Sequence, residues 1–226
     1  MTGKGSLNHN SRKFHAKNTD PNRTHWNVEY CNEDIKDVYH ELFDDALKRY
    51  NDKQTRKDRK IDDYYKKIRS GKQEKLFHEV IIQIGDKDNM GSETMEGQLA
   101  AKILDEYMKG FQERNPTLRV FAAHLHLDEA TPHLHIDFIP YVTGSKRGLD
   151  TRVSLKQALS SLGFKGGLRS ETELNQWVQS EKQKLAMVMR ENEIEWDQKG
   201  THEQHLSVLD YKEKGSRTGS RRINGT

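Results

Sequence analysis

Residues 118–142 read LRVFAAHLHLDEATPHLHIDFIPYV. Two apolar-rich runs, about 118–127 and 133–142, flank the short turn Asp128–Pro132, which is the pattern of a β-hairpin. Side chains alternate faces along a strand. On the first run Phe121, Ala123, Leu125 and Leu127 share one face, and Ala122, His124 and His126 share the other. On the second, Leu134, Ile136 and Phe138 lie opposite His133, His135 and Asp137. The apolar sets need a common helical layer, so the histidines turn to the opposite, open face. The turn is short enough to bring His126 beside His133 and His135. Three imidazoles from adjacent strands on one rigid surface form a facial metal site with open positions.

His124 shares that face but sits one pair farther from the turn, and reads as a polar neighbour. Glu129 is placed to reach the metal or orient a water. Asp128 either caps the turn or hydrogen-bonds a ligand imidazole, as carboxylates beside metal sites commonly do.

Outward from the hairpin, Glu79–Gly85 (EVIIQIG) reads as a strand. Its alternation sends Val80, Ile82 and Ile84 to the core and Glu79, Ile81 and Gln83 to the other face. As a neighbour of the hairpin, this strand points Glu79 at the histidine surface. A helix over about 93–114 carries Met95, Leu99, Ile103, Tyr107 and Phe111 at helical spacing. The order β-α-β-β with short connections predicts an α+β fold, a central antiparallel sheet with helices on one face. Residues 1–27 read as an extended or loop-like arm, followed by helices over about 33–50 and 57–69, with Gly71 as the stop. Toward the C-terminus, Ser154–Leu162 is a short helix ended by Gly163. Ser170-x-x-Glu173 resembles a capping box opening a long helix. Residues 1–150 are read as the core, 151–214 as a helical extension of the same domain, and 215–226 as a disordered tail.

Residues 48–75 hold twelve Lys and Arg against five acids, a local charge of +7 in a chain whose total is +3. A concentrated positive stretch attracts phosphate backbones by counterion release. A single cysteine, Cys31, excludes an internal disulfide framework. No apolar run reaches membrane-spanning length and no signal-peptide core is present, so a cytoplasmic protein without membrane contact is expected.

The pair His133–Leu134–His135 is a His-hydrophobe-His element of the kind that marks HUH endonucleases. The longer HLDEATPHLH of residues 126–135 resembles the third motif of the MobV (Pre/Mob) family of plasmid mobilisation relaxases. His9–Asn10–Ser11–Arg12 resembles that family's first motif, HNxR, and residues 21–27 (PNRTHWN) resemble the segment after it. The resemblance covers roughly residues 3–210. It implies a relaxase that nicks one strand at a plasmid origin of transfer, single-stranded or supercoiled, and stays attached to the 5′ end. It implies His9 as nucleophile, His126, His133 and His135 as metal ligands, and Glu129 and Glu79 as the acids at the site. Asn10 and Arg12 would sit beside the nucleophile and contact the DNA, Arg12 by holding a phosphate bidentately, and Arg23, Arg56, Arg59 and Lys60 would contact its backbone. The cofactor is a divalent ion, with manganese expected in function and magnesium, cobalt, nickel or zinc as alternatives; no small-molecule cofactor is implied. Family members carry a strand ahead of HNxR, whereas only eight residues precede His9 here, so that strand is expected to be very short or absent. Two other readings stand beside this one: a phosphodiesterase using activated water, and an inactive DNA-binding remnant.

Overall fold

The computed structural model describes residues 2–3, 6–167 and 170–195. The chain opens with β1 (Thr2–Gly3), the one-turn α1 (Leu7–Asn10), a 3₁₀ segment (Pro21–Trp26), β2 (Val28–Asn32) and α2 (Ile35–Asp52). A second 3₁₀ turn (Lys57–Arg59), α3 (Tyr64–Ser70), β3 (His78–Gln83), α4 (Met95–Lys109) and α5 (Phe111–Arg114) follow. The hairpin is β4 (Leu118–His126) and β5 (His133–Val142), and β6 (Arg152–Val153), α6 (Leu155–Ser161) and α7 (Glu173–Glu191) complete the described chain.

The sheet runs β1-β3-β5-β4-β2, every pairing antiparallel, with β6 added to the end of β5. This is the α+β architecture that the hairpin predicted. The strand ahead of His9 exists but spans only two residues, with Thr2 opposite Val80 and Gly3 opposite Glu79. Among the described residues no helix is long and apolar enough to cross a membrane.

The helices lie on both faces, not one. Phe138 packs at 6.5 Å from Phe111 and 5.9 Å from Trp177, so α5 and α7 cover its face. Ile139 points the other way and clusters with Val38, Tyr39 and Phe43 of α2, Tyr64 of α3, and Phe121. A β-bulge between Val120 and Ala122 adds to that cluster: it resets the alternation, so Phe121 leaves the face of Ala123 and joins the histidine side, where Ile139 already lies by alternation with Asp137. Helices α2 and α3 thus roof the far end of the histidine-bearing face; the near end, expected to be open, is covered by α1, and His126, His133 and His135 are buried there.

Three local predictions also shift. The expected arm is structured over residues 6–27, and β2 extends the sheet beside β4, with Tyr30 Oη donating to Asp105 of α4 at 2.8 Å. The basic helix expected over 57–69 breaks into the 3₁₀ turn and the shorter α3. Asn51 takes both backbone groups of Ile61 (2.8 and 2.9 Å), holding it out of any helix, and Asp63 caps the new N-terminus at Lys66 N. The long C-terminal helix is capped by Thr172, not Ser170, through Asn175 N at 3.2 Å. The predicted tail 215–226 lies outside the described residues.

Candidate metal and nucleophile site

Strand register sets the site. His126 stands opposite His133 and His124 opposite His135 across β4 and β5, while Glu79 of β3 faces Asp137 of β5. The intervening turn is held from several sides. Asn27 Oδ1 accepts from Leu127 N (2.7 Å) and Asp128 N (3.1 Å). Arg23 Nη1 donates to the carbonyls of Leu127 and Glu129, and Ser92 Oγ donates to the Glu129 carbonyl at 2.7 Å.

The ring centroids of His126, His133 and His135 are 4.7 to 5.2 Å apart. Each ring has one nitrogen against an acceptor: His126 Nε2 at Asn10 O (2.8 Å), His133 Nδ1 at Thr131 O (2.8 Å), and His135 Nδ1 at Glu79 Oε1 (2.7 Å). A carbonyl or carboxylate can only accept, so the proton sits on that nitrogen and the lone pair on the other. The remaining nitrogens of His126 and His135, Nδ1 and Nε2, are buried without a partner among the described residues. His133 Nε2 lies 3.7 Å from Glu129 Oε1. Ligand atoms of His9, His126 and His135 fall within 4.8 Å of one another, as do those of His126, Glu129 and His133. Neutral imidazoles with lone pairs directed at a shared space, a carboxylate at its rim and acceptors fixing the tautomers are what a divalent transition metal requires. Burial, reinforced by His135, pushes the His126 pKa down to about 2 and lowers that of His133, so both rings stay neutral.

His9 is carried to this space by α1. Its ring lies 5.9 Å from that of His126 and 6.2 Å from that of His135, and its Nε2 is 3.3 Å from Glu129 Oε1. Partial burial and the nearby Arg12 guanidinium lower its pKa. The tyrosines that would be nucleophile candidates in place of His9 lie elsewhere: Tyr30 on Asp105, and Tyr64 buried beneath α2, where Val153 N donates to its hydroxyl. Tyr65 packs edge-on against Tyr39 in the same cluster.

Three expected DNA contacts are turned inward. Asn10 is 2% exposed, and its Nδ2 donates to Glu79 Oε1 (2.8 Å) and Asp137 Oδ2 (3.0 Å). Arg12 adopts a φ of 50° and forks onto Asp128, with a further bond to Glu129 at 2.9 Å. Arg23 braces the turn. Arg56, Arg59 and Lys60 are exposed, and Arg56 pairs with Asp58. His124 pairs with Glu29 at 3.2 Å, away from the ligand triangle.

Asp128 is fully buried. Burial alone would raise its pKa, but the Arg12 and Asn27 hydrogen bonds hold it at about 2. For Glu79 too, hydrogen bonds from His135 and Asn10 outweigh burial and keep its pKa low. Asp137 was the residue passed over in the sequence. It shares the histidine face by alternation, is fully buried, and burial pushes its pKa up to about 7 despite Asn10. The signal was an acid on the same strand face as two histidines.

The family model described as "Plasmid recombination enzyme" (Mob_Pre) matches residues 6–213. A plasmid recombination enzyme of Streptococcus agalactiae is 24% identical over 208 residues, which are 84% of this chain and 38% of that protein. The chain therefore spans well under half the length of that relative. Among solved structures, the MobM relaxase domain (MOBV; Mob_Pre), manganese-bound with 22 nucleotides of the plasmid pMV158 oriT DNA at pH 5.5, is similar at 23% identity. Its TM-score is 0.52, with 92% of this chain and 90% of that one covered. The same domain with 23 nucleotides at pH 6.5 gives 23% identity and a TM-score of 0.53, with 93% and 90% covered. These likenesses establish the shared fold, and with the family match over most of its length the chain belongs to the Mob_Pre family of plasmid recombination enzymes.

Proposed function

We propose that this chain is a relaxase: it nicks one DNA strand at a plasmid origin of transfer by transesterification and keeps the 5′-phosphate covalently. The observation that carries this reading is the convergence of His9, Glu129 and three tautomer-fixed histidines on one end of the sheet. His126, His133 and His135 would hold a divalent ion, with Glu129 beside it. Manganese is the reading's choice, because the similar MobM domain is manganese-bound. When bound, such an ion neutralises charge on the non-bridging phosphate oxygens.

The chain's own groups supply the rest. His9 Nε2 lies 3.2 Å from Arg12 Nη1, which can only donate, and 3.3 Å from Glu129 Oε1, and the neutral imidazole attacks phosphorus through its unprotonated nitrogen. The P–N bond forms as the P–O3′ bond breaks, the 3′ oxygen leaves with the electron pair and takes up one proton, and the imidazole gives up its one ring proton, so the step balances. The phosphoramidate conserves the bond energy, so the reverse attack by a 3′-hydroxyl religates the strand. Glu79 fixes the His135 tautomer, and Asn10 and Arg12 hold α1 and the turn in register, as positioning residues. Arg56, Arg59 and Lys60 contact backbone phosphates, which position DNA without specifying its sequence. In this reading residues 1–150 form the catalytic core, the following helices extend the same domain, and the protein works in the cytoplasm.

A random-sequence single-stranded pool labelled at its 3′ end, incubated with protein and Mn²⁺, tests the reading. The wild type is expected to give a protease-sensitive labelled adduct on a denaturing gel, and His9→Ala and His133→Ala to give none. Cleavage without adduct would replace this reading with a water-using phosphodiesterase, and binding without cleavage with a DNA-binding remnant.

A further inference from the structure

The fold sets the nucleophile among the ligands. Donor atoms of His9, His126 and His135 all lie within 4.8 Å of one another, and a neutral imidazole offers an ion one lone pair. His126 and His135 each present a single free nitrogen, Nδ1 and Nε2, because the other is bonded to Asn10 O and to Glu79. The His133 ring completes the group, 5.2 Å from that of His126 and 5.0 Å from that of His135. The chemistry above uses His9 only against phosphorus, yet its position is that of a fourth imidazole.

Glu129 is the competitor for that fourth position, and it is engaged elsewhere. Its Oε1 accepts from Arg12 Nη2 at 2.9 Å and its Oε2 from Asn18 Nδ2 at 2.5 Å. Among the polar groups of the described residues, the His9 ring nitrogens meet only Arg12 Nη1 at 3.2 Å and Glu129 Oε1 at 3.3 Å. The His9 side chain is 22% exposed and rides on the one-turn α1, so a small inward shift is open to it. A tetrahedral zinc at about 2.1 Å from each nitrogen sets them about 3.4 Å apart, so the closure needed is at most about 1.4 Å. The surrounding charge favours a dication: Glu79, Asp128 and Glu129 stand against the single guanidinium of Arg12.

The ion decides whether His9 enters. Zinc takes four ligands in a tetrahedron and suits imidazole, whereas manganese prefers oxygen ligands in an octahedron and keeps positions open for them. We propose that, without DNA, His9 joins His126, His133 and His135 as the fourth ligand of a tetrahedral cation such as Zn²⁺, a closed centre in which the nucleophile is silent. An imidazole bound through one nitrogen is protonated on the other and has no lone pair left for phosphorus. Manganese leaves His9 free. The silencing rests on the relaxase reading; the coordination does not.

The test reads ligation instead of cleavage, so its outcome is separate from that of the adduct assay. Metal-free full-length protein is loaded with Zn²⁺ or with Mn²⁺ and treated with diethyl pyrocarbonate, which acylates an imidazole through its free lone pair. Mass spectrometry then follows the tryptic peptide 5–12, in which His9 is the only histidine. Labelling of His9 should persist with manganese and be lost with zinc, a comparison that uses wild-type protein alone. In calorimetry His9→Ala should lower zinc affinity at least about 10-fold, the loss that even an outer partner of a ligand causes, and leave manganese affinity unchanged. With Co²⁺ in place of zinc, the wild type should show the intense visible band of four-coordinate cobalt. His9→Ala should lose that band, and free imidazole should restore it. Equal labelling of His9 under both ions would overturn the proposal, as would a folded His9→Ala protein with wild-type zinc affinity.

Discussion

Arg12→Ala removes the guanidinium that enters the carboxylate pair behind the nucleophile, and the structure sets the size of the effect. The Arg12 side chain is 8% exposed and Asp128 beside it is not exposed at all. Truncation strands a buried carboxylate, and breaking a buried pair by removing one partner costs about 3–5 kcal/mol. The depression of the Asp128 pKa to about 2 gives an independent lower figure. Against an unfolded carboxyl near 3.9 this is about 2.5 kcal/mol at neutral pH. The sign is that of a depressed acid: the stabilisation is complete above about pH 4 and disappears as pH falls through about 2. Urea unfolding of wild type and variant should therefore differ by about 3 kcal/mol at pH 7, and the gap should narrow as pH falls from about 4 toward 2. Arg12→Lys should recover little, because a single ammonium cannot reproduce the fork onto Asp128. A pH 7 difference below about 1 kcal/mol, or one that does not change with acid, would refute the reasoning.

Two further expectations come from the neighbouring carboxylates. Glu79→Gln keeps an acceptor for His135 Nδ1 but loses its charge. Manganese affinity measured by calorimetry should fall about 10- to 100-fold, while the thermal midpoint of the metal-free protein holds or rises; an unchanged affinity would remove Glu79 from the ligand network. Asp137 has a folded pKa of about 7, above its unfolded value, so the wild type loses stability as pH rises from about 4 to 7. Asp137→Asn should flatten that decline, gaining up to about 4 kcal/mol at pH 8; a variant that declines in parallel with wild type would show the carboxylate is not the source.

The histidine geometry was legible because alternation in His126–His135 needs only a two-fold period and a short turn, and both survive any tertiary context. The face of Phe121 was not, because the bulge beside it adds a residue that no periodicity announces. β2 was missed because its residues are largely exposed, so Val28–Asn32 lacks the apolar alternation of a half-buried strand. The roles of Asn10 and Arg12 depend on groups more than a hundred residues away, Asp137 and Asp128. The HNxR resemblance presented them as DNA contacts, whereas only the folded chain shows them facing carboxylates.

The attachment of DNA to His9 is the central claim, and it can be located directly. The wild-type protein would be trapped with single-stranded DNA and Mn²⁺, kept near neutral pH to preserve a phosphoramidate, then digested with nuclease and trypsin for mass spectrometry. The account predicts a nucleotide phosphate on the peptide carrying His9 and on no other. The same mass on a peptide carrying Tyr30, Tyr64 or Tyr65, or cleaved DNA with no modified peptide, would contradict it.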